Sequence, residues 1–166
     1  MDMQSNTKVV EMAEGGEIMG LDCSHNAFHG AYSSFNRFRQ VVCHAIGGSF
    51  PPHCIYNADG TIARDKDGNI IYDHTLDDKM MYCGKDLDAE SGMYHFLTHS
   101  DCDGEISPEM CIKVANDLEA ILPQIEALPD RGSGHIVARG GYAEVLKKFV
   151  AGCRLASENN EPLVFD

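Results

Sequence analysis

The stretch from Ser107 to Pro123 leaves least freedom to the fold of this chain. Ser107-Pro108-Glu109 supplies a capping hydroxyl, a proline whose fixed φ suits the first helical position, and a carboxylate for the positive end of the helix dipole. Cys111, Val114, Ala115, Leu118, Ile121 and Leu122 then recur at three- and four-residue steps, so they share one face. Pro123 lacks the N–H that a continuing helix needs and is expected to kink or stop it. A helix with one apolar face has to be covered, and the remaining sequence must supply matching faces.

Two other segments carry the same periodicity. From Ala27 to about Ile46, Phe28, Ala31, Tyr32, Phe35, Phe38, Val42 and Ile46 form an apolar stripe, ended by Gly47-Gly48 with Pro51-Pro52 beyond. From about Tyr142 to Ser157, Val145, Leu146, Phe149, Val150 and Cys153 do the same. Roughly Leu87 to His99 forms a further helix, and Pro129 to Gly141 reads as a glycine-rich loop. Between Cys54 and Tyr72 the pattern changes to short β-branched and aromatic runs separated by Asp59-Gly60 and Asp67-Gly68 turns, which predicts an antiparallel meander of two or three strands. Leu163-Val164-Phe165 predicts a last strand, and no internal repeat is read. The expected fold is α+β: one mostly helical domain over 19–166 with about four helices and a small β-meander. Residues 1–18, with a short apolar patch at Val9-Val10, read as an N-terminal extension or edge strand.

The chain has 166 residues, enough for one core, with 13 Lys and Arg against 26 Asp and Glu, a formal charge of −13. That charge repels a polyanion, which argues against a nucleic-acid polymer as partner and suits solubility or a basic partner protein. Seven cysteines in an odd set without paired Cys-x-x-Cys spacing, and no positively charged start followed by an apolar core, point to reduced thiols and a cytoplasmic setting. No apolar run is long enough to cross a bilayer.

The candidate chemistry lies in two segments. On a helix from Ala27, extended back through its start, His25, His29, Ser33 and Arg37 stand four apart and form a polar stripe. With Ser24 at the helix start they make a cradle for a carboxylate or phosphate, and the two imidazoles could share a metal, with Asp22 or Cys23 close in sequence. The simpler reading is that Ser24 or Asn26 caps the helix and the histidines face solvent. The second segment repeats the spacing at His95 and His99 and continues through Ser100-Asp101-Cys102-Asp103-Gly104-Glu105. If the two segments meet, His25, His29, His95, His99 and Asp101 are candidate ligands for a divalent transition metal. Asp101 to Ser107 also matches the middle of a calcium loop, but His99 and Met110 occupy the positions of the first and last carboxylates, which favours a tight turn feeding the Ser107 cap. Arg131-Gly132-Ser133-Gly134-His135 holds donors without being a phosphate-binding loop of known pattern. Cys23 and Cys102 sit beside histidines, although buried inert thiols are the commoner case.

Through Gly20-Leu21-Asp22, Ser24-His25, Phe28-His29-Gly30-Ala31-Tyr32-Ser33, Phe35 and Arg37, joined to His99-Ser100-Asp101-Cys102-Asp103-Gly104-Glu105-Ile106, the chain resembles a family of small uncharacterised proteins encoded by bacteriophages and prophages. The likeness runs from about Met19, an equivalent start, to the C-terminus and is patchy in the hairpin region and the glycine-rich loop. It implies a phage setting, in which small proteins commonly act on host pathways, and names no catalytic residue.

Three functions follow as expectations. The first is binding or sequestering a small anionic ligand, such as a nucleotide-derived host defence signal, through Ser24, His25, His29, Ser33, Arg37 and His99, with Asp101, Asp103 and Glu105 reading hydroxyl or amine groups. The second is a metal-dependent hydrolase with Glu105 or an unliganded aspartate as general base. The third is an acidic interaction module for a host protein; a homo-oligomer is compatible with all three.

Overall fold

The structure is a computed structural model that describes residues 20–83 and 87–166. The expectation of an extension or edge strand over 1–18 lies outside the described residues.

An antiparallel hairpin, β1 (Gly20–Asp22) and β2 (His29–Ala31), opens the fold and runs straight into α1 (Tyr32–Ala45). Helix α1 therefore starts five residues later than the apolar periodicity predicts. His25 and Asn26 occupy left-handed backbone at φ 58° and 59°, which no helix accommodates. The periodicity misleads because Phe28, in the hairpin, is buried against Phe35 just as a helical residue would be, with ring centroids 5.0 Å apart.

After α1, β3 (Gly48–Ser49) pairs with β4 (Tyr82–Cys83). The intervening Asp-Gly segment is more closed than a meander. Ile55, Ala63 and Ile71 pass backbone hydrogen bonds in a cycle: Ile55 N–H to Ile71 O (3.0 Å), Ile71 N–H to Ala63 O (3.1 Å), and Ala63 N–H to Ile55 O (2.9 Å). Single bridges Tyr56–Ile62, Arg64–Ile70 and Tyr72–Cys54 complete a ring of three arms. The ring reflects an eight-residue recurrence, with Asn57, Asp65 and Asp73 opening the three turns and Gly60 and Gly68 closing the first two. The chain thus has an internal repeat, at a period far shorter than those of stacked-repeat folds.

Helix α2 (Gly92–Thr98) is capped by Ser91, whose Oγ accepts from Tyr94 N–H at 3.1 Å, so it starts later than Leu87. β5 (Glu105–Ile106) leads into α3 (Pro108–Ala120), where Ser107 Oγ accepts from Met110 N–H at 3.1 Å and Cys111, Val114, Ala115 and Leu118 are buried, as the sequence predicts. The chain breaks at Ile121, and α4 (Leu122–Glu126) carries Pro123 in its first turn, the only part of a helix that accepts it. A single turn, α5 (His135–Ala138), interrupts the glycine-rich loop. Helix α6 (Tyr142–Glu158) packs most extensively on α3, and β6 (Leu163–Val164) pairs antiparallel with β5. The fold is α+β and mostly helical, with six α-helices among the described residues, four of them seven residues or longer, and small two-stranded antiparallel sheets.

One continuous apolar cluster joins the hairpin, α1, α2, α3, α4, α6 and the C-terminal strand. The approach of α2 to α3 depends on Gly92, where a Cβ would lie 2.2 Å from the backbone carbonyl group of Lys113. Backbone cannot swing aside as a side chain can. Gly92→Ala is therefore expected to destabilise the fold by about 3 kcal/mol, the upper end for overpacking, read as a lower urea midpoint at unchanged slope; an unaltered midpoint would mean that the helices separate freely.

Candidate functional site

The structure places the two histidine-rich segments on opposite edges of the C-terminal strand. Asp22 and Asp166 exchange backbone hydrogen bonds at 2.9 and 3.1 Å, and Cys23 forms a bridge with Phe165. On the other edge Phe165 N–H donates to Gly104 O at 2.9 Å, and Glu105 and Ile106 pair with Val164 and Leu163.

The polar stripe is divided between three elements. Ser24 and His25 sit in a 3-10 turn, His29 on β2, and only Ser33 and Arg37 on α1. Ser24 Oγ accepts from Val164 N–H at 2.8 Å and lies 2.8 Å from His25 Nδ1, while His25 Nε2 lies 2.7 Å from Glu161 Oε1. One tautomer satisfies this chain: Ser24 O–H donates to Nδ1 and Nε2–H donates to Glu161. Both nitrogens of His25 are occupied in holding the C-terminal segment. His29 is exposed, with Nδ1 3.3 Å from Asp22 Oδ1, and Ser33 is exposed on α1.

The second segment is also bonded internally. His99 directs Nδ1 at Ser100 O (2.8 Å) and Nε2 at Glu105 O (3.1 Å), and its ring lies 4.2 Å from that of Phe165. Ser100 Oγ accepts from the amides of Cys102 and Asp103, so a serine organises this turn and the carboxylates stay outside it. Arg39, only 4% exposed, donates Nη1–H to the carbonyls of Phe96, Leu97 and His99, which otherwise end α2 without partners. Burial holds this guanidinium below the usual arginine value, with Asp101 and Cys23 acting in the opposite sense. Among the described residues no three of His, Cys, Asp and Glu come together as a group that would hold a metal ion, so His25, His29, His95, His99 and Asp101 do not converge on one point.

What the fold does assemble is a cavity of about 350 Å³ between α1, the three-armed ring, the glycine-rich loop and the start of α6. Arg37 enters from α1, Thr61 and Arg64 from the ring, Asp130 and Ser133 from the loop, and Tyr142 from α6. Arg37 donates to Gln40 Oε1 at 2.9 Å and Arg64 to Gly68 O at 2.9 Å; neither forms an ion pair among the described residues. Asp130 Oδ1 accepts from Gly132 N–H at 2.8 Å, which fixes the loop. Beside Arg37, Tyr142 and Asp130 lies the Tyr56 hydroxyl, buried and without a partner among the described residues. Burial pushes that hydroxyl up to about 12, with Arg37 the one neighbour pulling it down. Tyr142 is raised for the same first reason.

No family model, curated protein or solved structure matches this chain. The reading of the site therefore rests on its own chemistry. Of its residues the sequence pointed to Arg37 directly and to Ser133 within a donor-bearing loop; it missed Arg64, Thr61, Asp130 and Tyr142. The available signal was the eight-residue recurrence, in which Arg64 takes the position held by Tyr56 and Tyr72.

Two outcomes follow from these bonds. The Glu161 carboxyl, lowered chiefly by its hydrogen bond from His25, should titrate by ¹³C NMR below its position in a His25→Ala variant. A group lowered in this way stabilises the fold above the ordinary glutamate range and loses that effect as pH falls through its folded value; equal midpoints in the two proteins would show that the His25 contact does not form in solution. Among the thiols Cys102 is exposed, whereas Cys23 is buried and pushed up to about 12, first by burial and then by Asp22. Iodoacetamide at pH 8 should label Cys102 first and reach Cys23, Cys43, Cys54, Cys111 and Cys153 only after unfolding, as read by peptide mass spectrometry; rapid labelling of Cys23 in the folded protein would contradict its burial.

Proposed function

We propose that this protein binds a small anionic ligand in the cavity between Arg37 and Arg64, in a reducing cytoplasm, without cleaving it. One observation carries the reading: a chain of formal charge −13 brings two guanidinium groups, free of ion pairs among the described residues, into one cavity of about 350 Å³. Like charges separated in sequence are gathered in this way at a cost, and an anion between them removes that cost. The cavity falls in the size range of small-molecule sites. Thr61, Ser133 and the Tyr142 hydroxyl supply neutral donors, and Asp130 can accept from a hydroxyl or amine of the ligand. A phosphate-bearing nucleoside meets these demands. The resemblance to phage-encoded proteins supports a host signal of that class as the natural ligand, with sequestration as the effect. The negative surface as a whole supports a small ligand over a nucleic-acid polymer.

Thermal-shift titration with inorganic phosphate, nucleoside monophosphates and cyclic nucleotides tests this. A ligand at one hundred times its Kd should stabilise the fold by about 2.7 kcal/mol. Arg37→Gln and Arg64→Gln should each weaken binding by about ten- to one-hundred-fold, the worth of a charge-assisted hydrogen bond. Ser33→Ala, whose side chain lies elsewhere, should leave the affinity unchanged. Binding that survives loss of both arginines, or no shift with any phosphate ligand, would refute the assignment.

A further inference from the structure

A second cavity, of about 370 Å³, lies between the β1–β2 hairpin and α5. Its polar side chains are Asp22 from β1, His29 from β2, and His135 and Arg139 from α5 and its end; Leu21 and Ala31 are among its apolar walls. His135 and Arg139 are four residues apart, one helical turn, and so present their side chains on the same side. Asp22 Oδ1 lies 3.3 Å from His29 Nδ1, which orients the imidazole and leaves Nε2 without a partner among the described residues. Neither the His135 ring nor the Arg139 guanidinium has a side-chain hydrogen bond or ion pair among the described residues. The one carboxylate facing the cavity is already engaged by His29. Two imidazoles and a guanidinium thus line the recess beside Asp22, with His29 Nε2 and the donors of His135 and Arg139 unpaired among the described residues, in a chain where carboxylates outnumber cations two to one.

We infer that this recess is a second ligand site, separate from the Arg37–Arg64 cavity, for a compact molecule with an apolar body and a single carboxylate or phosphate head. The head pairs with Arg139, and His29 Nε2–H and a ring N–H of His135 donate to its remaining oxygens. The body lies against Leu21 and Ala31. Asp22 is a positioning residue: it accepts from His29 Nδ1–H and orients the ring, and Nε2–H donates to the head in the doubly protonated ring that Asp22 and an anionic head together favour, so its loss should weaken binding less than loss of Arg139.

Isothermal titration and backbone NMR with phenyl phosphate, benzoate and inorganic phosphate test the site. Phenyl phosphate or benzoate should saturate it, shifting the amides of residues 20–22 and 29–31, and inorganic phosphate, lacking the apolar body, should bind there at least tenfold more weakly. The stronger of the two aryl ligands identifies the head group. Arg139→Gln should weaken the aryl ligand by tenfold or more and His135→Gln severalfold, with melting temperatures unchanged because both residues lie at the surface; Asp22→Asn should have the smallest effect. In the Arg37→Gln/Arg64→Gln double variant the amide shifts of residues 20–22 and 29–31 should saturate with the aryl ligands as in the wild type, which keeps this result independent of the first cavity. Failure of both aryl ligands to bind, or binding that is indifferent to Arg139→Gln and His135→Gln, overturns the inference.

Discussion

The ring of Phe35 meets five other aromatic rings, those of Phe28, Phe38, Phe96, Phe149 and Phe165, at centroid distances of 5.0 to 6.2 Å, most of them edge to face. Each partner except Phe38 belongs to a different element: the hairpin, α2, α6 and the C-terminal segment. The Arg39 guanidinium lies 4.8 Å above the same ring and directs Nη1 at the carbonyl end of α2, while its Nε is buried without a partner among the described residues. Burying a cation is unfavourable unless hydrogen bonds and aromatic contacts replace water, and here they do so for all but Nε. The position of α2, of the turn that follows it and of the C-terminal strand is thus set from one point on α1. Arg37, two residues earlier, faces away from that hub into the first cavity, so the packing that builds the core also fixes a cavity-facing side chain.

The helices were legible where cap and periodicity agree. Ser107-Pro108 and the face from Cys111 to Leu118 specify α3 by local chemistry alone, and α6 follows from its apolar stripe. The start of α1 was not legible, because burial of Phe28 in a hairpin imitates the next step of a helical stripe, and only the left-handed backbone at His25 and Asn26 separates the two. The candidate site was less legible still. Histidine at four-residue spacing reads as a site on one helix, but partners such as Glu161 and Val164 come from the far end of the sequence, and no local pattern announces them. Arg64 and Tyr142 were hidden for the same reason: their importance comes from what the fold places opposite them.

Charge ties these observations together. Surface carboxylates are spread over the chain, and several are absorbed locally, as Asp59, Asp65 and Asp73 are by amides of their own turns. Of the six guanidinium groups only that of Arg154 forms an ion pair among the described residues, and those of Arg37 and Arg64 share one cavity. A strongly negative chain repels small anions at long range, and this repulsion is screened over about 8 Å at physiological ionic strength. Any attraction the Arg37–Arg64 cavity exerts on an anion is therefore a short-range matter of donor geometry, without long-range steering.

The three-armed ring has a further consequence for how such a protein can change over generations. Its closure depends on three backbone contacts at Ile55, Ala63 and Ile71, whereas the turns between them are held by bonds within each turn. The tips can be lengthened, shortened or rewritten with little effect on closure, much as hypervariable loops change on a constant framework. Two neighbouring arms carry Thr61 and Arg64 into the first cavity. Exchange of a few residues in the arms can reshape that cavity while the helices remain untouched, so the lining is free to change faster than its frame.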